Sequence, residues 1–233
     1  MKKRYKIPLI IFVIILVLFG AFLIYASDYY KADKSAIEAL NNEKFITVDK
    51  NLTILTPKIT SEVGLIFYPG AKVESIAYLP ILEKLRKNGI TCVLVKMPLN
   101  MAIFNQDAAD EVFDKLPNIK NWYIGGHSMG GAMASSYAAK NKDKVKGLIL
   151  LGAYIYGDVS PEDAITIYGT FNSNLEKNID YTENVIIIDG GNHAQFGNYG
   201  KQKGDLDATI SSEEQQNIAV EAILEFIKTK DSK

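Results

Sequence analysis

The ten residues Trp122–Gly131, WYIGGHSMGG, decide how the rest of the chain is read. An apolar, β-prone run enters this stretch, and an alanine-rich run at 129–140 with helical character leaves it. Between them stands GxSxG, as Gly126-His127-Ser128-Met129-Gly130. Glycines flanking a serine leave room for a sharp strand-to-helix turn, which holds the serine strained with its hydroxyl raised above the sheet. Ser128 is therefore read as a nucleophile and not as a helix cap.

Outward from this turn, short β-rich runs alternate with amphipathic stretches, the pattern of a mostly parallel sheet covered by helices. Strands are expected at 45–48, 52–55, 63–68, 90–97, 122–125, 147–151, 164–168 and 185–189. A helix over 75–88 sets Ile76, Leu79, Leu82 and Leu85 on one side, takes Pro80 in its first turn and stops at Gly89. Another is expected over 106–115, between an Asn105 cap and Pro117. The last begins at the capping signal Ser211-Ser212-Glu213-Glu214 and buries Val220, Ile223, Leu224 and Ile227. No period of about 20 to 50 residues recurs, which argues against solenoids and propellers. The expectation is one three-layer α/β domain over 43–233.

A serine hydroxyl is a weak nucleophile and needs a base. The chain has two histidines. His127 adjoins Ser128 inside the turn, so its ring should point away and serve structure. His193 follows the strand 185–189 in the loop Gly190-Gly191-Asn192-His193, ahead of the last helix, and is the expected general base. The oxyanion of acyl transfer needs preorganised N–H donors. With this kind of turn, one comes from the residue after the nucleophile, Met129, and a second from the loop after an earlier strand. That loop is Pro69-Gly70-Ala71-Lys72, with Ala71 the assigned donor and Gly70 the alternative.

FYPGAKVE (67–74), GGHSMGGAMA (125–134), GGNHAQFGNYG (190–200) and QKGDLDATISSEEQQ (202–216) together resemble the α/β-hydrolase superfamily, and within it a dienelactone-hydrolase-like group. The resemblance spans about residues 60–229. It implies an α/β-hydrolase fold with a mostly parallel sheet and hydrolysis of a carboxylic ester or related acyl bond, without a cofactor or metal. The group's nucleophile is usually cysteine, and this chain has Ser128. The resemblance also implies an acid in a GTxD position, which here reads Gly169-Thr170-Phe171-Asn172, so the third catalytic position falls on Asn172. Asp158, Glu176 and Asp180 are the carboxylates that could substitute for it. An asparagine can accept a hydrogen bond from histidine but brings no charge, and in a serine protease Asp→Asn at this position costs ~10⁴ in turnover.

The 233 residues carry 26 basic and 27 acidic side chains, a near-balance that argues against a dedicated nucleic-acid binder. One cysteine, Cys92, excludes an internal disulfide, and with two histidines there is no structural zinc cluster. Residues 7–25, IPLIIFVIILVLFGAFLIY, carry no charge and would span about 29 Å as a helix, close to the ~30 Å hydrocarbon core of a bilayer. A cleavable signal peptide is the alternative, but its apolar core is shorter and Ile24-Tyr25-Ala26 fits its cleavage site poorly. Lys2, Lys3, Arg4 and Lys6 precede the run, so the positive-inside rule leaves the N-terminus in the cytoplasm. The expectation is an anchor at 1–27, a stalk at 28–42 and a catalytic domain on the extracytoplasmic side of a cell membrane. An ester hydrolase, a hydrolase-fold binding protein with attenuated chemistry and an acyltransferase all fit this pattern; the oligomeric state is not written in it.

Overall fold

The computed structural model describes residues 3–41 and 44–232. Lys2, the first of the basic residues ahead of the apolar run, and the expected boundary at 42–43 lie outside them.

The elements run as α1 (Lys3–Ser27), α2 (Lys34–Leu40), β1 (Ile46–Asp49), β2 (Leu52–Leu55), β3 (Val63–Tyr68), α3 (Leu79–Lys87), β4 (Thr91–Val95) and α4 (Asp110–Phe113). They continue as β5 (Asn121–His127), α5 (Met129–Lys140), β6 (Gly147–Leu151), β7 (Ala164–Gly169), α6 (Ser173–Glu176), β8 (Val185–Ile188) and α7 (Ser212–Asp231). The eight strands form one sheet in the order β1-β2-β4-β3-β5-β6-β7-β8. β3 to β8 are parallel, and the β1–β2 hairpin adds antiparallel to β4. One face is covered by α3 and α7, whose Leu82, Leu85, Ile223 and Ile227 meet Leu65, Phe67 and Tyr123. On the other face Ala134, Tyr137 and Val112 pack on Ile66, Ile124 and Leu148. The three layers are those of an α/β-hydrolase fold.

Two helices differ from expectation for identifiable reasons. The stretch 75–88 divides into a 3-10 turn, Ser75–Tyr78, and α3, because Pro80 has no N–H to continue an α-helical ladder from that turn. The helix expected over 106–115 contracts to the single turn α4. The buried Tyr68 hydroxyl donates to Gln106 O at 2.9 Å and accepts Ala109 N–H at 2.8 Å, which holds the approach to α4 in turns.

α1 contains the 21-residue segment Ile7–Ser27, long and apolar enough to cross a membrane; a signal sequence has the same profile. The stretch expected as a stalk is seated on the domain. Tyr30 bridges Val73 in parallel, and Asp33 caps α2 by accepting Ala36 N–H. Ala36 is buried, and Asn198 Nδ2 donates to Ser35 Oγ at 2.9 Å.

Candidate active site

β4 and β5 flank β3 on opposite sides, so the strand order reverses there and the carboxyl ends of β3 and β5 open a crevice. Ser128 stands at that point, between β5 and α5, with φ 54° and ψ −123°. A non-glycine residue in this region stores about 1–3 kcal/mol of strain, sustained only by surroundings that over-determine it. Ser128 N–H donates to Leu151 O on β6 at 3.0 Å, and Ser128 O accepts from Ala132 N–H at 3.1 Å. A Cβ at Gly130 would lie 2.2 Å from Tyr68 O and 2.3 Å from Pro69 O, so only glycine lets α5 start this close to the β3 loop.

Ser128, Met129, Asn172 and His193 wall one open cleft of about 330 Å³, with Tyr154 and Leu175 among its other walls. The four arrive from the carboxyl ends of β5, β7 and β8 and from the first residue of α5. Asn172 Nδ2 lies 2.9 Å from His193 Nδ1. With the amide nitrogen in that position Nδ1 accepts, and the ring proton sits on Nε2; rotating the amide half a turn offers Oδ1 and reverses the tautomer. Among the described residues no carboxylate takes that place. Asp158 pairs with Lys142 Nζ at 2.7 Å on the surface, and Glu176 and Asp180 are exposed.

His127 is buried, and its bonds determine its protonation. The carbonyl of His193 only accepts, so His127 Nε2 donates to it at 3.0 Å; Nδ1 then accepts from Tyr78 O–H at 2.8 Å. Tyr78 in turn accepts Gly70 N–H at 3.1 Å. Burial, joined by the neighbouring His193, holds the His127 pKa well below the ordinary histidine value. This neutral ring clamps the backbone of the residue whose ring it faces at 4.4 Å between centroids. The Tyr78 bond also commits the Gly70 amide, whereas the Ala71 amide has no partner among the described residues; Ala71 itself is not among the residues walling the cleft. Gly152, with φ +53°, gives the rings space, since a Cβ there would lie 2.9 Å from His193 Nδ1.

The His193 loop is held by residues that sequence reading did not single out. Asp205 accepts from Ala194 N–H at 2.7 Å and His193 N–H at 3.2 Å. Gln215, fully buried on α7, accepts Asn192 N–H at 2.9 Å and donates to Asn192 O at 2.8 Å. Gln216 donates to Gln195 O at 3.1 Å and to Asn198 Oδ1 at 2.8 Å. The available signal was the GD segment and the paired glutamines inside the quoted 202–216 stretch. Burial lowers the His193 pKa, and the Asp205 charge opposes the shift. Phe196 and Tyr199 are core side chains, and Glu74 accepts Ala32 N–H at 2.9 Å. Cys92 is buried, which raises its thiol pKa far out of the reactive range.

Sheet, strained turn and cleft define a hydrolase of the α/β class. Residues 64–217, more than half of the chain, match the profile of the alpha/beta hydrolase family, and the chain belongs to that family. Its fold is similar to that of a dienelactone hydrolase from Anabaena variabilis, with a TM-score of 0.51 at 15% identity, over 75% of this chain and 90% of that one. MenH from S. aureus is similar with a TM-score of 0.56 at 13% identity, over 78% of this chain and 100% of that one. Est1E from Butyrivibrio proteoclasticus, solved with ferulic acid bound, has a TM-score of 0.53 at 16% identity, over 76% and 95%. No curated protein matches the chain.

Proposed function

We propose that the protein is a serine hydrolase that cleaves a carboxylic ester through an acyl-enzyme on Ser128, with His193 as general base. The observation that carries this reading is the strained Ser128 in a cleft it shares with His193. Ser128 Oγ attacks the ester carbonyl carbon and passes its proton to His193 Nε2. The oxyanion is met by the Met129 N–H, unpaired at the start of α5, and by a second donor from the loop after β3, assigned to Ala71. Collapse of the adduct breaks the C–O bond, and the alcohol leaves with the proton from His193. Water then attacks the acyl carbon, again giving up a proton to His193, and the carboxylic acid departs as Ser128 is regenerated. Base action on Ser128 requires His193 Nε2 unprotonated, hence Asn172 with Oδ1 toward Nδ1. The anchor is read as residues 7–25, with the domain on the extracytoplasmic side.

A binding protein of the same fold, with attenuated chemistry, is favoured by one feature: the amide nitrogen of Asn172 faces His193 Nδ1, which selects the unproductive tautomer. Fluorophosphonate labelling of the full chain in detergent, with the adduct located by peptide mass spectrometry, separates the two. The hydrolase reading expects an adduct on Ser128 that is lost in Ser128→Ala and suppressed at least tenfold in His193→Ala. A folded chain that takes no label supports the binding protein instead.

A further inference from the structure

Because β3 to β8 run in parallel, the loops leaving their carboxyl ends lie along one edge of the sheet. Ser128, Asn172 and His193 stand on that edge. The loops after β3 and β4 stand on it too, tied together by Lys72 N–H donating to Asn100 O at 2.8 Å.

These two loops are where α1 is seated. Tyr30 N–H donates to Lys72 O at 2.7 Å and Glu74 N–H to Tyr30 O at 2.9 Å, and only Asp28 and Tyr29 separate this seam from the end of α1. The Lys72 ammonium lies over the Tyr25 ring, 3.9 Å from its centroid, and 3.8 Å from Asp28. Further into the apolar segment, Phe22 meets Phe104 edge to face with centroids 5.9 Å apart. A ring packed on Phe22 sits at the depth of the last apolar turns of α1. Phe104 is nevertheless 50% exposed, and beside it Ile103 is 49% and Leu99 44% exposed. Tyr25, Tyr29, Tyr30 and Lys72 supply the aromatic and basic side chains found where a spanning helix leaves the hydrocarbon. The opposite edge of the sheet is charged, with Lys120, Lys142, Lys144, Lys146 and Asp163 around one cleft.

We infer that the site-bearing edge faces the bilayer that holds α1, that Leu99, Ile103 and Phe104 dip into its interfacial layer, and that the substrate is an acyl ester of an amphiphile resident in that bilayer. The substrate part rests on the proposed serine hydrolase. The turn Ala102–Phe104 packs against α5, the helix that starts beside Ser128, so the apolar lip borders the nucleophile's own helix. An ester drawn from the membrane would approach along this lip with its acyl chain still shielded from water.

The test uses the full chain reconstituted in phosphatidylcholine–phosphatidylglycerol vesicles. An environment-sensitive fluorophore is attached to the thiol of a Phe104→Cys variant, Cys92 being buried. Quenching by brominated lipid with protection from aqueous iodide is expected; quenching by iodide alone overturns the orientation, whatever the activity. Turnover of nitrophenyl laurate partitioned into the vesicles is then compared with that of water-soluble nitrophenyl acetate. The triple variant Leu99→Ser, Ile103→Ser, Phe104→Ser is expected to lose about tenfold on laurate and to keep acetate turnover within twofold. Equal effects on both esters, or none on either, overturn the membrane source of substrate. If neither ester is cleaved and Ser128 takes no fluorophosphonate, the hydrolase reading and its substrate fall, while lipid quenching still decides the orientation.

Discussion

The loop that carries His193 and the turn that carries Asn172 lie side by side, joined by hydrogen bonds of backbone and side chain, yet the two catalytic candidates are held in different ways. On the histidine side Asp205, Gln215, Gln216 and His127 satisfy the backbone of residues 192–195 from three directions. On the asparagine side the turn is tied to that loop, Phe171 N–H to Gly191 O at 3.0 Å and Gly190 N–H to Thr170 Oγ1 at 2.9 Å, but among the described residues the Asn172 side chain has a single bond. The contrast separates two demands on the proposed catalytic base. Position is over-determined, whereas no side chain among the described residues compensates charge at Nδ1, and the carboxylate that favours protonated His193, Asp205, acts from the backbone side of the loop.

The sharpest way to break this comparison is Asn172→Asp. A carboxylate at Nδ1 fixes the productive tautomer and stabilises the imidazolium, so ester turnover should rise by about 10²- to 10⁴-fold, the upper figure mirroring the reverse change in a serine protease. Its pH profile carries a second readout. As the proposed base His193 must be neutral to act, and burial holds its pKa below the ordinary value, so the acid limb of kcat/KM in the native chain is expected below pH 6.5, with activity lost as pH falls through it. Asn172→Asp should move that limb upward; an unchanged rate and limb would mean that the third position is chemically idle.

Asp205→Asn comes next in size. One N–H acceptor remains but the charge is gone, so kcat/KM should fall about tenfold, equivalent to ~1.4 kcal/mol, and the acid limb should move further down. A fall in rate with the limb unmoved would assign Asp205 to loop geometry alone. The smallest effect expected is on stability. Gln215→Leu strands the buried N–H and C=O of Asn192 and should cost about 2 kcal/mol in denaturant unfolding of the full chain in micelles, against under about 1 kcal/mol for Asn172→Ala. Equal costs would show that the two regions are held equally well.

The same contrast explains what could be read in advance. The strands were legible because their apolar runs are continuous and punctuated by turns, as in Val63–Tyr68 and Gly147–Leu151. The turn at Ser128 and the loop at His193 were legible as places in the fold because glycine spacing around them is a local signal. Asp205, Gln215 and Gln216 were not: charged or amide side chains in a loop and a first helical turn look like solvated surface until the His193 loop folds onto them. Tyr78 stands 49 residues from His127, and nothing in the stretch 75–88 distinguishes its hydroxyl from any tyrosine packed on a helix. Tyr68 likewise shortened α4 through hydrogen bonds spanning about forty residues, which no local propensity registers.

The seam between Tyr30 and Val73 also works as a clamp. Tyr30 N–H to Lys72 O and Glu74 N–H to Tyr30 O close this bridge at 2.7 and 2.9 Å, and only Asp28 and Tyr29 lie between it and the end of α1. With α1 as the proposed anchor, the sheet is held at a set angle to that helix, and opening this one short parallel bridge would lengthen the free link from residues 28–29 to as far as α2.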